Sequence, residues 1–274
     1  MTRLCRLGTW PDLAFRPLRH GLEGHPLFSL LEFPPAHTAF KLRDHEVDIG
    51  FISPIDYARD SSTLTVVPDV GLWSQTGGKA VTVHFGTGVQ DVATLAVDPA
   101  YASEVILAKI ILSEEFDIDP RIVPVAGDLE TMLGRADAAL LVGDNALRES
   151  ASQGDALDLI ETWVQMTDLP YVHGIWCARE RDLRQQHVSA LQQSRREGTS
   201  RIVDIAARAA GSDMFPGFST DHLQEYLDHF SYDLPDEAIE GLKEFHHYAY
   251  YHAVLPDIPE ITLFAGVDPA PDLN

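Results

Sequence analysis

Cysteine is nearly absent from the chain: Cys5 and Cys177 are the only two in 274 residues. So distant a pair makes no metal-ligand spacing and no disulfide framework, and a reducing compartment is expected. Basic residues are also scarce, 20 Lys and Arg against 42 Asp and Glu, for a formal charge of −22. Binding to nucleic acid needs clustered Lys and Arg and would be opposed by this field, so no nucleic-acid partner is expected. An anionic membrane surface is disfavoured for the same reason. No apolar run approaches the roughly 20 residues that span a bilayer. The opening MTRLCRLGTWPDLAFRP has no apolar core of signal-peptide length. No membrane partner is expected, and the chain is expected in the cytoplasm.

Several chemical signatures are missing too. Gly86-Thr87-Gly88 is a lone GxG, not a dinucleotide fingerprint. Gly77-Gly78-Lys79 lacks the upstream glycine of a P-loop, and Ala80 stands where a magnesium-binding hydroxyl would be. There is no GxSxG elbow. His246, His247 and His252 share a helix without an i,i+4 pair, so they do not make a metal face. Neither a metal nor an organic cofactor is expected.

What is present is an α/β rhythm. Hydrophobic residues make up 45% of the chain, enough for one large domain or two lobes. Strands are predicted over 3–7, 27–33, 47–52, 94–97, 121–125 and 137–142, with helices between them. Ser103 is predicted to N-cap a helix reaching Phe116, and Asp128 a shorter one. The last third reads as helices over 181–195, 199–210, 221–230 and 235–251, followed by a proline-rich extended tail. One pattern occurs twice: VDIGFISPIDYARD (47–60) aligns without a gap on ADAALLVGDNALRE (136–149), Asp48 on Asp137 and Arg59 on Arg148. Each copy reads as buried strand, polar turn, helix, and open α/β sheets bind ligands at such strand ends. Ser53, Thr76-Gly77-Gly78, Ser103 and Gly143-Asp144-Asn145 therefore stand out. Glycine loops and helix starts present free N–H groups that suit a carboxylate, and Arg16 adds positive charge. Asp144, at a strand end, is the ionisable residue best placed to act as a base.

The stretches VDIGFISPIDYARD, VVPDVGLWSQTGGKAVTVHF, GDNAL (143–147) and LIETWVQMTDLPYVHGIWCARE resemble the futalosine-pathway menaquinone biosynthesis family, and within it the chorismate dehydratases. The similarity runs from about Arg6 to about Phe245. It implies a two-lobed periplasmic-binding-protein-like fold of type II with the ligand cleft between the lobes. Lobe 1 would be 1–89 plus 175–274 and lobe 2 90–174, with crossings near 84–92 and 173–178. The implied activity is loss of water from dianionic chorismate, a carbon–oxygen lyase reaction giving 3-[(1-carboxyvinyl)oxy]benzoate. Aromatisation supplies the driving force, and a substrate carboxylate held near C3 is expected to share in proton transfer.

The same comparison marks departures. In the opening motif Arg6, Gly8, Leu13, Pro17, Leu18, Gly21 and Leu22 match, but Pro11 and Ala14 replace Ser and Asn. Ala80 and Ala102 likewise stand where the family has hydroxyls. The expected substrate contacts are thus Ala14, Arg16, Ser53, Thr76, Gly77, Gly78, Ala102, Ser103, Gly143, Asn145 and His173. The alternative expectation is a non-catalytic or altered-specificity binder of small anions on the same fold.

Overall fold

Short apolar runs alternating with helices settle into two five-stranded sheets in the computed structural model, which describes residues 3–149 and 156–266. The first four strands are β1 (Cys5–Thr9), β2 (Phe28–Glu32), β3 (Ile49–Ile52) and β4 (Thr65–Ser74). The next five, β5 (Val81–Phe85), β6 (Thr94–Val97), β7 (Arg121–Pro124), β8 (Ala138–Val142) and β9 (Ala156–Asp158), form a separate sheet ordered β7-β6-β8-β5-β9. The chain then returns as β10 (Tyr171–Ala178), which inserts into the first sheet to give β2-β1-β3-β10-β4.

The sheets are built alike. β1 is parallel to β2 and β3, and β6 is parallel to β7 and β8. In each sheet one antiparallel strand follows, β10 in the first and β5 in the second. The sequence echo has a physical basis in this symmetry. Asp48 accepts the backbone N–H of Arg6 at 2.8 Å and pairs with its guanidinium at 2.7 Å. Asp137 accepts the N–H of Thr94 at 2.9 Å. Each carboxylate thus ties the start of one strand to the start of its parallel neighbour. Arg59 and Arg148 also correspond: each bonds back three residues, to Asp56 at 3.4 Å and to the Asn145 side chain at 2.7 Å.

The passages between sheets differ from expectation. Val81–Phe85 pairs with β8 and β9, so it belongs to the second sheet. Tyr171 and Val172 pair with Ser74 and Trp73, so the return is complete before 175. The chain changes sheets at 75–80 and 168–170, ahead of both expected crossings. The glycine-bearing polar stretch after Phe85 marks the end of a strand, and 173–178 is strand throughout. Each passage contains one non-glycine residue in the left-handed region, Lys79 at φ 54° and Asp168 at φ 57°.

Ten α-helices cover the sheets among the described residues. They are α1 (Pro35–Arg43), α2 (Pro54–Asp60), α3 (Ala102–Phe116), α4 (Leu129–Leu133), α5 (Asp144–Glu149), α6 (Leu159–Thr167), α7 (Gln185–Thr199), α8 (Ile202–Ala210), α9 (Thr220–Asp228) and α10 (Asp236–Tyr251). α3 starts one residue before Ser103, with Tyr101 in the cap position, so Ser103 is a helical residue and not the local cap. Asp128 does cap α4, accepting Thr131 N–H at 2.9 Å. A 3-10 helix over Leu13–Arg19 follows β1 and contains Pro17. One buried apolar cluster runs from Leu7, Phe51 and Trp176 in the first lobe to Val83, Leu95 and Leu140 in the second. After Pro256 the tail extends beside β4, with Val66 N–H donating to Thr262 O and Phe264 N–H to Val66 O. No helix of the described residues is long and apolar enough to cross a membrane.

Candidate active site

The carboxyl ends of β1 and β8 approach each other across the cleft, bringing Trp10 and Asp12 of one lobe to Gly143 and Asp144 of the other. Between them lies a cavity of only about 40 Å³. Small-molecule sites commonly offer roughly 300–1,000 Å³. The lobes are thus drawn together, leaving less room than a ring-sized ligand fills.

Asp12 precedes the 3-10 helix in the N-cap position but makes no side-chain cap. The missing acceptor comes from the opposite lobe: Asp144 Oδ1 takes the Leu13 N–H at 2.9 Å. Asp12 turns instead toward α3, where its Oδ1 accepts from the Tyr101 hydroxyl at 2.9 Å. Gly143 makes this approach possible. Its φ is +59°, and a Cβ there would sit 2.6 Å from Asp12 Oδ1. Asp12 Oδ2 is buried and has no partner. Burial, and next the charge of Asp144, push the Asp12 carboxyl up to about 7. Asp144 is also raised by burial, but the Leu13 N–H, Arg148 and Arg16 oppose the shift. Both carboxyls are thus held above the ordinary carboxylate range, Asp12 by a neighbouring charge as well as by burial.

The remaining walls mix aromatic bulk with buried polar groups. Glu104, in the first turn of α3, is 4% exposed and accepts a long 3.4 Å bond from the Tyr171 hydroxyl. Burial raises it to about 8, so at neutral pH it is largely a neutral acid able to donate. His173 Nε2 lies 2.8 Å from Ser74 Oγ, and burial lowers the imidazole to about 3. It is therefore neutral and offers no charge to an anion. Trp10 and Tyr226 also face the cavity, and Trp10 Nε1 and the Tyr226 hydroxyl are buried without partners. Trp10 packs edge-on to Phe51 at 4.7 Å, over Gly174, where a Cβ would meet both rings. Unpaired buried donors are costly, and both residues line one enclosed space whose wall is almost wholly apolar.

The sequence model of menaquinone biosynthesis proteins matches residues 5–251. The chain belongs to the menaquinone biosynthesis family. A relative from Thermus thermophilus, named chorismate dehydratase, is 30% identical over 250 residues, covering 84% of this chain and 89% of its own. Among solved structures, a protein of Archaeoglobus fulgidus superposes with a TM-score of 0.73 at 17% identity, covering 91% of this chain and 98% of its own. The periplasmic aliphatic sulphonate binding protein of Escherichia coli gives 0.62 at 16% identity, covering 95% and 96%. At such identities these two show the fold, which is two-lobed and periplasmic-binding-protein-like.

In this member of the menaquinone biosynthesis family, Ala14, Gly143 and His173 line the cavity, as does Ala80. Asp144 stands beside it, occupied with Leu13. The other expected contacts are engaged elsewhere. Ser103 Oγ crosses the cleft to accept the Ile55 N–H of α2 at 3.0 Å. Ser53 exchanges bonds with Asp56, its hydroxyl lying 2.7 Å from the carboxylate. Thr76 lies 3.3 Å from His229 Nδ1, Gly78 packs on that ring, and Gly77 packs on Asp158. The N–H that follows the two glycines faces an internal carboxylate, Lys79 N–H donating to Asp158 at 2.8 Å. Asn145 pairs with Arg148, Ala102 packs on the core, and Arg16 lies in a surface hollow with Arg208.

Sequence reasoning missed Trp10, Asp12, Tyr101, Glu104 and Tyr226. A signal existed for Glu104: helical spacing puts it in one stripe with Leu107 and Ile111, both fully buried, so an acid interrupts an apolar face. Asp12 carried no such mark. Its role depends on Asp144 relieving it of capping. Among the described residues no group of three or more His, Cys, Asp or Glu could hold a metal ion.

Proposed function

We propose that this protein is a chorismate dehydratase, removing water from chorismate to give 3-[(1-carboxyvinyl)oxy]benzoate in menaquinone biosynthesis by the futalosine pathway. The observation that carries the reading is the enclosed inter-lobe cavity in which Trp10 Nε1 and the Tyr226 hydroxyl are buried without acceptors. The name of the Thermus thermophilus relative supports the same reading.

The reaction suits such a site. Loss of the C3 proton and the C4 hydroxyl makes the ring aromatic, so the enzyme must mainly orient the substrate and move one proton. The polar groups buried among the residues of this apolar cavity wall are neutral, not a cluster of cations: Trp10, Tyr226 and protonated Glu104. In a low-dielectric cavity such fixed dipoles stabilise charge without competition from water. Closure of the lobes over the substrate completes the wall and excludes solvent.

A second reading rests on Ala14 and Ala80. Both put methyl groups on the cavity wall, in the positions where the resemblance places an amide and a hydroxyl. A binder of small anions, or an enzyme of altered specificity, fits that poorer set of donors. Mixing purified protein with chorismate and following the ultraviolet spectrum separates the readings. Growth of the aromatic product's absorption is expected. Saturable chorismate binding with no spectral change would establish the binder instead.

A further inference from the structure

We propose that the surface hollow between the 3-10 helix and α8 is a second binding site, one that takes a phosphate group. It lies on the first lobe and shares no lining residue with the inter-lobe cavity. The hollow measures about 260 Å³, and Arg16, Arg19, His20 and Arg208 border it. Three guanidinium groups and an imidazole thus share one small surface of a chain whose formal charge is −22. Like charges so close repel one another, and free carboxylates would relieve them.

The carboxylates nearby are already engaged. Glu23 is the one acid on the wall, and it pairs at 3.8 Å with Arg19, which also bonds Glu32. On the flanking helices Glu197 accepts from Gln193 at 2.8 Å, and Asp204 pairs with Arg201 at 3.4 Å. Arg19 is therefore answered twice, while the other three groups are not. Arg208 and the His20 ring have no hydrogen bond or ion pair among the described residues. Arg16 donates from Nη2 to the thioether of Met214 at 3.0 Å, and its Nε is buried with no acceptor. A thioether is a weak acceptor. Asp144 interacts with Arg16 by charge alone.

Two unanswered guanidinium forks bordering one space suit a tetrahedral oxyanion. Each fork presents parallel N–H donors in a plane, and a phosphate group has three or more acceptor oxygens, enough to bridge both. A carboxylate has two oxygens and satisfies one fork. The His20 ring offers one further N–H. At about 260 Å³ the hollow falls below the roughly 300–1,000 Å³ of sites that enclose a drug-sized molecule, so a single charged group fits it better than an extended ligand. The assignment is independent of the dehydratase reading, because phosphate binding is measured without turnover.

Calorimetric titration of the full chain with inorganic phosphate, at fixed ionic strength, tests the site. Saturable binding is expected, and Arg208→Gln weakens it about tenfold or more by removing one charge-assisted pair. Arg208 is exposed and unbonded, so this variant keeps the fold. Arg135→Gln removes an exposed arginine of the second lobe and controls for net charge; its binding stays within about twofold of wild type. Phosphate that fails to saturate, or Arg208→Gln binding within about twofold of wild type, would overturn the assignment. Equal weakening by both variants would also overturn it, since the effect would then belong to the field of the whole molecule. Acetate displacing phosphate at equal concentration would reject phosphate as the ligand class. Glycerol 1-phosphate separates the two sources of the group: displacement of inorganic phosphate assigns the site to a phosphorylated metabolite, and no displacement assigns it to the free ion.

Discussion

The two strand–turn–helix units, β3–α2 and β8–α5, begin alike and end differently. Both open on an aspartate that anchors a neighbouring strand, and both carry an arginine bonded three residues back. At the turn they diverge. The first turn is closed: Ser53 meets Asp56, and the Ile55 N–H is met by Ser103 from the other lobe. The second turn replaces Ser-Pro-Ile with Val-Gly-Asp and has a left-handed glycine at its apex. Its aspartate bonds outward, and the bare glycine admits Asp12. Both copies of the unit thus bond across the cleft, the first through a hydroxyl offered by the opposite lobe and the second through its own carboxylate.

Breaking the second turn gives the largest effect. Gly143→Ala introduces a Cβ 2.6 Å from Asp12 Oδ1, at a φ that costs an ordinary residue roughly 1–2 kcal/mol. A displacement of about 1 Å at the site is expected to lower chorismate turnover roughly 100-fold. A steady-state kcat near wild type would show that the second turn is as purely structural as the first.

Next is the α3 N-terminus, which serves both turns. Ser103 faces the first and Glu104 the cavity beside the second. Glu104 titrates near 8 when folded, against about 4.3 when unfolded. Its raised value means the folded state binds the extra proton. That stability is complete below about pH 4 and is lost as pH rises toward 8. Asp12 adds the same sign up to about 7. Glu104 alone is therefore expected to lower stability between pH 5 and pH 8 by the order of 3 kcal/mol, read in urea as the difference between wild type and Glu104→Gln, because the buried His173 and His246 act with the opposite sign below about pH 6.5. Glu104→Gln flattens the slope, and an equally steep profile in that variant would contradict the assignment.

Removing the neighbouring hydroxyl is milder. Ser103→Ala leaves the Ile55 N–H buried and unpaired, a loss of about 1–3 kcal/mol in urea denaturation. Ser53→Ala gives the smallest change, about 0.5–1 kcal/mol, because its cap to Asp56 N–H is already long at 3.4 Å. If Ser53→Ala cost more than Ser103→Ala, the first turn would be held locally and not across the cleft.

The ordering of these effects reflects what was legible in the sequence. Strand and helix periodicity, the repeated unit and the family motifs all pointed to two α/β lobes around a cleft. The site read less well because its bonds are not local. Ser103 looks like the cap of its own helix, yet it caps one 48 positions upstream. Asp144 looks like the start of α5, yet its carboxylate serves Leu13, 131 positions away. Sequence reading offers partners two to four residues distant, and here the partners were exchanged between lobes. The crossings were misplaced for a related reason: a polar glycine stretch marks a strand end as readily as a change of sheet.

The register of β4 and β10 has one more consequence. Ser74, the last residue before the chain leaves the first sheet, lies directly opposite Tyr171, the first residue after it comes back. Everything from 75 to 170 is thus inserted at the tip of what would otherwise be a simple hairpin. The second lobe is joined covalently to the first through two adjacent strand ends. A graft joining 74 to 171 through a short turn would close the first sheet with its strand order intact. The half of the site that supplies Gly143 and Asp144 is therefore carried on one continuous insertion, which topology allows to be exchanged without re-threading the rest of the chain.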